Sequence, residues 1–232
     1  MLGAIDTLVL CGGLGKRLRP QIGESQKVMA EVSGHPFLDI LIGYLKAQGV
    51  KRVILCAGFK AETLEEYYQS KNPGLTIEFS KEQEPLGTGG AVKHAKHFVR
   101  SNPFFVLNGD SFCPIDLNEF LNFHKFKSAL ATIAVSKVQS ASDFGSITLG
   151  SDQEIKNFEE KAQSLESFVN AGVYCFNRET FDRMPAEDKF SMEEDYFPTL
   201  IGKAFYGYTT TKEFIDIGTP ERYKQAQIFL KG

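Results

Sequence analysis

The sequence predicts an α/β fold with a mixed, mostly parallel sheet, and three observations carry that reading. Short apolar or β-branched runs alternate with segments of helical periodicity as far as Phe126. The first such run, Ile5 to Cys11, is bounded by glycines, as a buried strand is. A chain of 232 residues with 42% hydrophobic content can bury an extended sheet within one large domain, residues 1–232.

Strands are expected at 7–10, 52–57, 76–79, 104–107, 130–135, 146–149 and 169–176. Phe37, Leu41 and Leu45, with Leu38 and Ile42, repeat at helical spacing before Gly49, which predicts a helix over 36–48. The same rule predicts helices over 61–69, 89–99 and 117–126. Alternation through these elements implies right-handed crossovers and parallel pairing. After Leu130 strand-like segments follow one another with little helix until 191–201, which predicts a partly antiparallel insertion. A last helix over 219–230 opens on Thr219-Pro220-Glu221, a capping residue followed by proline at the first helical position.

The first strand empties into Gly12-Gly13-Leu14-Gly15-Lys16-Arg17, with Lys27 close behind. Glycines let backbone N–H groups close on anionic oxygens while Arg17 and Lys27 supply charge, so the loop reads as a polyphosphate site. It is not a P-loop: Gly15-Lys16 has Leu10 where the leading glycine belongs and Arg17 where a hydroxyl residue belongs. Nor is it a dinucleotide fingerprint, because Leu18 replaces the third glycine. The later cluster Gly87-Thr88-Gly89-Gly90 fails the same test at Val92.

A formal net charge of −3 gives no general attraction for nucleic acid, so the loop cations are local. No run approaches the roughly 18 apolar residues of a membrane span and no export signal is legible, so a cytoplasmic protein is expected. Cys11, Cys56, Cys113 and Cys175 are widely spaced and read as reduced packing residues. His35, His94, His97 and His124 lack ligand spacing and read as surface or turn residues.

Ligands gather beyond the carboxyl ends of parallel strands, which sets the first loop beside Asn108-Gly109-Asp110. A second acid, Asp216, lies between two isoleucines, where a charge needs a cation or hydrogen-bond donors. Two carboxylates beside a phosphate loop suit Mg²⁺, which takes one or two protein carboxylates and fills its shell with phosphate oxygens and water.

Taken in order, Leu10 to Pro20, Lys27, Glu84-Pro85-Leu86-Gly87-Thr88-Gly89-Gly90, Asn108-Gly109-Asp110, Glu160-Lys161, Asn170-Ala171-Gly172 and Asp216 to Pro220 resemble the sugar-1-phosphate nucleotidylyltransferases. The likeness spans almost the whole chain and is strongest to guanylyltransferases of D-glycero-α-D-manno-heptose 1-phosphate, with mannose-1-phosphate guanylyltransferases second. Phe190-Ser191-Met192-Glu193-Glu194 supports that placement. It implies a single Rossmann-like nucleotidyltransferase domain whose antiparallel insertion binds the sugar. No second activity is expected after the last helix.

The resemblance also implies the chemistry. The sugar phosphate oxygen would attack the α-phosphorus of a nucleoside triphosphate in line, expelling pyrophosphate without a covalent enzyme intermediate. Arg17 would hold the leaving phosphates and Lys27 would bridge the attacking and α-phosphates. Asp110 and Asp216 would hold Mg²⁺, and Leu10, Gly12, Gly13, Gly15 and Gly87 would line the nucleotide. Glu82 falls where the family contacts the base edge, and a carboxylate there suits the N1–H and 2-amino donors of guanine, favouring GTP. Asn108, Gly145, Glu160, Lys161, Asn170 and Gly172 would face the sugar.

The product would be GDP-heptose for a surface glycan such as lipopolysaccharide, capsule or S-layer glycan, and a homodimer is the family-level expectation. The alternatives are mannose 1-phosphate as acceptor, uridylyl transfer to another sugar phosphate, or a nucleotide-sugar sensor without turnover. One departure is visible: the family usually has proline where this chain has Gln26, which predicts a less restrained loop beside Lys27.

Overall fold

Period-two patterning puts successive residues of the core strands into two different apolar layers. The computed structural model describes residues 2–13, 15, 17–138, 146–159 and 167–231. β1 (Thr7–Leu10) leads through the glycine loop to a short α1 (Arg19–Ile22). A small hairpin of β2 (Glu31–Val32) and β3 (His35–Pro36) then feeds α2 (Phe37–Ala47). β4 (Arg52–Ala57), α3 (Ala61–Ser70), β5 (Thr76–Lys81), α4 (Gly87–His94) and β6 (Phe104–Asn108) continue the alternation. β7 (Ser111–Phe112) and α5 (Leu117–Phe126) follow, the helix capped by Asp116, whose carboxylate accepts from Asn118 and Glu119 N–H.

The insertion comprises β8 (Ala131–Val138), β9 (Ser146–Leu149), β10 (Ile155–Glu159) and β11 (Ser167–Phe176). After it come a single π turn at Met192–Tyr196, α6 (Phe197–Leu200), β12 (Phe205–Thr210), β13 (Ile215–Asp216) and α7 (Pro220–Phe229). Thr219 caps α7 by accepting from Arg222 N–H, with Pro220 at its first turn as the sequence indicates.

One sheet runs β10-β9-β11-β6-β1-β4-β5, and β8 pairs with both β11 and β12. Pairing is parallel from β6 through β1 and β4 to β5, and antiparallel where β11 joins β6, β8 and β9. The expected mixed sheet with an antiparallel insertion is therefore present. Val9, Leu55 and Phe105 enter the layer covered by α2, α3 and α5; Leu8, Ile54 and Phe104 enter the layer covered by α4 and α6. Burying each such side chain stabilises the fold by roughly 1.5–3 kcal/mol.

The topology fixes where a ligand can sit. From β1 the chain steps outward to β4 and β5, then returns to place β6 on the other flank of β1. That reversal opens a crevice beyond the carboxyl ends of β1 and β6. β11 has a register break between Asn170 and Tyr174, and Gly172 sits in it at φ +71°. Asn170 Oδ1 accepts from Gly172 N–H at 2.9 Å and so shapes the bulge.

The four cysteines are free and buried. His124 is a correction: it is not a surface residue but lies 2% exposed, its ring between the Thr132 hydroxyl and the Asn177 amide oxygen. Burial lowers its pKa from 6.5 to about 4. No helix among the described residues is long and apolar enough to cross a membrane.

Candidate active site

At the crevice lies a cavity of about 410 Å³ whose wall includes Leu10, Gly12, Gly13, Lys27, Glu82, Gly87, Asn108 and Asp110. These residues come from loops after three different parallel strands, which is why they are scattered in sequence and adjacent in space. Gly109 N–H binds Leu10 O at 3.0 Å, and a Cβ on Gly109 would fall 2.6 Å from that oxygen. Only glycine lets the two strand ends approach so closely.

Glu82 follows β5 and is held by its own N–H on Ala57 O at 2.9 Å. Its Oε2 accepts from Leu86 N–H at 3.1 Å, while Oε1 is buried with no partner among the described residues. A Cβ on Gly12 would stand 2.9 Å from that orphaned oxygen, so the glycine leaves the carboxylate room. Burial raises the Glu82 pKa, opposed by the Leu86 N–H and by His94. A buried carboxylate oxygen without a donor in a cavity wall is a receptor for a donor brought by a ligand.

Asp110 and Asp216 meet. Asp216 of β13 registers against Ser111 of β7, and Ile217 N–H donates to Asp110 O at 3.0 Å. Lys27 forms an ion pair with the Asp110 carboxylate from the turn Lys27–Met29. Asp216 also has donors of its own: Gly218 N–H on Oδ1 at 2.6 Å and Arg222 on Oδ2 at 2.7 Å. Its pKa is nevertheless raised, chiefly by burial, with the neighbouring Asp110 charge adding to the effect.

The two acids are neighbours, each now balanced by a cation, Lys27 on Asp110 and Arg222 on Asp216, and together they offer hard oxygens to a divalent cation. No group of three or more His, Cys, Asp or Glu side chains suited to a metal occurs among the described residues. Two carboxylates fit Mg²⁺ completed by phosphate and water, and do not fit a closed all-protein cage.

A hydrogen-bonded group adjoins Asn108. Tyr174 hydroxyl takes amide donors from Asn170 at 2.8 Å and Asn108 at 3.3 Å, and lies 3.4 Å from Glu193 Oε1. Thr88, in the cavity wall, donates to Glu193 Oε2 at 2.7 Å. A Cβ on Gly172 would fall 2.4 Å from Ser111 Oγ and 3.0 Å from Asn108 Nδ2, so the bulge brings Asn170 beside this network. Thr88, Tyr174, Glu193 and Arg222 were not singled out by role from sequence. Glu193 had a signal, its place in the Phe190 to Glu194 block, but only the π turn explains why it points back to Thr88.

Other expectations fare differently. Arg17 is exposed and does not line the cavity, because the chain turns after Gly15 to bury Leu18 and carries Arg17 outward. Gly15, at φ +57°, packs against Lys27: its Cβ would be 3.0 Å from that of Lys27. Gly87 lines the cavity, but its neighbours Gly89 and Gly90 are glycines because α4 presses on Phe190 and Asp188, which any Cβ would strike at 2.2 and 2.1 Å. Gly145, Glu160 and Lys161 lie outside the described residues. Gln26 does more than remove a restraint: its backbone keeps φ −63° and its buried side chain donates to Phe59 O.

The chain matches the nucleotidyl transferase family over residues 6–231. It is 37% identical over 224 residues to a D-glycero-α-D-manno-heptose 1-phosphate guanylyltransferase of Aneurinibacillus thermoaerophilus, covering 96% of this chain and 97% of that one. An enzyme of the same description from Campylobacter jejuni is 36% identical, with 94% and 97% covered. The crystal structure of HddC from Yersinia pseudotuberculosis complexed with GMP-PN superposes with a TM-score of 0.87 at 35% identity, over 98% of this chain and all of that one. With the crevice, the loop and the acid pair in place, the chain belongs to the nucleotidyl transferase family.

Proposed function

We propose that this enzyme transfers GMP from GTP to D-glycero-α-D-manno-heptose 1-phosphate, forming GDP-heptose and pyrophosphate. The observation that carries the base assignment is the unpartnered Glu82 Oε1 in the cavity wall. A carboxylate offers acceptors to both the N1–H and 2-amino group of guanine, whereas adenine presents an acceptor at the equivalent edge and uracil a single donor. Relatives that use heptose 1-phosphate support the choice of acceptor.

The chemistry asked of the protein is positioning and charge neutralisation. A phosphate oxygen of the sugar 1-phosphate forms a bond to the α-phosphorus while the bond to the bridging oxygen breaks and pyrophosphate leaves with that electron pair. Lys27, already paired with Asp110 at the cavity wall, can exchange that carboxylate for the attacking and α-phosphate oxygens. Gly12, Gly13 and Gly15 let backbone N–H groups approach the triphosphate, and Arg17, now outside the cavity wall, would have to swing in to meet the leaving phosphates. Leu10 and Gly87 pack around the nucleoside. Asn108, Asn170 and Gly172 face the sugar. Asp110 and Asp216 would hold Mg²⁺, which supplies charge neutralisation on the phosphate oxygens.

Pyrophosphate release tests the reading: each nucleoside triphosphate is paired with heptose, mannose and glucose 1-phosphates. The expected result is highest kcat/KM for GTP with the heptose phosphate. A preference for UTP sinks the guanine assignment, a preference for mannose 1-phosphate sinks the heptose assignment, and no release with any pair points to a sensor.

A further inference from the structure

Gln26 is a buried polar residue, 5% exposed, in the segment that delivers Lys27. Its amide nitrogen donates to the Phe59 carbonyl, in the loop between β4 and α3, which fixes the orientation of the amide. Its Oε1 is enclosed without a partner among the described residues, a cost that a solvent-facing glutamine would avoid. Gln26 also caps the turn carrying Lys27: its backbone stands at φ −63°, ψ 140°, and its carbonyl accepts from Met29 N–H at 3.0 Å.

The tether is reinforced and well placed. Lys60 Nζ, from the same loop as Phe59, donates to Glu24 O at 2.7 Å. Gly58, next to Phe59, lies against the base-side acid: its Cβ would be 3.6 Å from Glu82 Oε2 and from Gly12 O. One short loop therefore touches Glu82 on one side and the Lys27 segment on the other.

We infer that Gln26 is a positioning residue, whose buried tether to the Phe59 carbonyl fixes the backbone from which Lys27 reaches the reacting phosphates. The inference rests on the role given to Lys27 above. Lysine is a flexible point charge, so the location of its backbone decides whether the ammonium meets the α-phosphate. A displacement of about 1 Å at such a group costs up to roughly 100-fold in rate. The tether acts by restraining φ and ψ rather than by touching substrate.

The test compares wild type with Gln26→Met, which keeps the volume and removes the amide, and with Gln26→Pro, which locks the observed φ by other means. Both are also made in a Lys27→Ala background, and kcat, the KM for each substrate and Tm are measured. Gln26→Met is expected to lower kcat by roughly 10–100-fold with the GTP KM within about 3-fold and little change in Tm. Gln26→Pro is expected to recover most of that loss. Neither should lower the residual activity of Lys27→Ala further, because both act through Lys27.

A fully active Gln26→Met beside a crippled Lys27→Ala overturns the inference while leaving the Lys27 role intact. A Gln26→Met loss that persists in the Lys27→Ala background overturns it too, as does a Gln26→Pro no better than Gln26→Met. A Lys27→Ala enzyme as fast as wild type would instead refute the reading of Lys27. If Gln26→Met does not fold, Gln26→Ser is measured against the same criteria.

Discussion

Replacing Glu82 with glutamine changes one atom and reverses the hydrogen-bonding sense of the base site. The amide oxygen can keep the Leu86 N–H that Oε2 now accepts at 3.1 Å. The NH₂ then occupies the place of Oε1, the buried atom beside Gly12 that has no partner among the described residues. In the proposed complex guanine brings N–H donors to that point, so donor would meet donor. A hydrogen bond to a charged acceptor contributes about 1.5–3 kcal/mol, and the buried donors left unpaired cost about 1–3 kcal/mol more. The combined loss is about 3 kcal/mol or more, or roughly 100-fold or more in kcat/KM for GTP.

Adenine, whose N1 accepts, should lose less, so the GTP/ATP ratio falls. Stability follows the charge: burial raises the Glu82 pKa, so the group's contribution is complete below the ordinary 4.5 and is lost as pH rises through the raised value. Removing the charge offsets the cost of the buried amide donor, so the melting temperature should change little at neutral pH. The assay is pyrophosphate release against GTP and ATP at saturating sugar phosphate, with thermal melts alongside. A Glu82→Gln enzyme within 3-fold of wild type on GTP, with an unchanged GTP/ATP ratio, would refute the base assignment.

His124 is neutral when buried, with its pKa lowered to about 4 against 6.5 when unfolded, so the unfolded chain binds more protons between those values. Its contribution is complete above pH 6.5 and is lost as pH falls toward 4, by about 3 kcal/mol, so His124→Gln should flatten urea midpoints across that window. Gly172→Ala sets a Cβ 2.4 Å from Ser111 Oγ at φ +71° and is expected to cost about 1–3 kcal/mol. It should also raise the sugar-phosphate KM more than the GTP KM, as steady-state kinetics and melts would show. Removing Mg²⁺ with a chelator should abolish pyrophosphate release while circular dichroism stays unchanged, since the fold is closed by apolar layers and strand pairing.

The parallel half of the fold was legible because its strands are continuous apolar runs and its helices keep strict spacing; β1, β4 and α5 fall at their predicted bounds. β10 and β12 were not, because Ile155–Glu159 has few apolar residues and Phe205–Thr210 carries a mid-strand glycine. That glycine is needed: a Cβ on Gly207 would fall 2.6 Å from Leu149 Cδ2. The helix predicted over 89–99 begins at Gly87 and tightens into a 3₁₀ turn at Ala95–Phe98. At the site, acids and glycines announced themselves through loop chemistry. The Arg222 contact to Asp216 and the Gln26 tether depend on long-range packing or on a side chain that no motif encodes.

Asp110 and Asp216 are proposed to act together on a nucleoside triphosphate held at the crevice. The most direct test is pyrophosphate release from GTP and D-glycero-α-D-manno-heptose 1-phosphate, with Mg²⁺, by wild type and by Asp110→Ala. Wild-type turnover that falls on the order of 1,000-fold in the variant is the predicted result. An Asp110→Ala enzyme as fast as wild type would contradict the site.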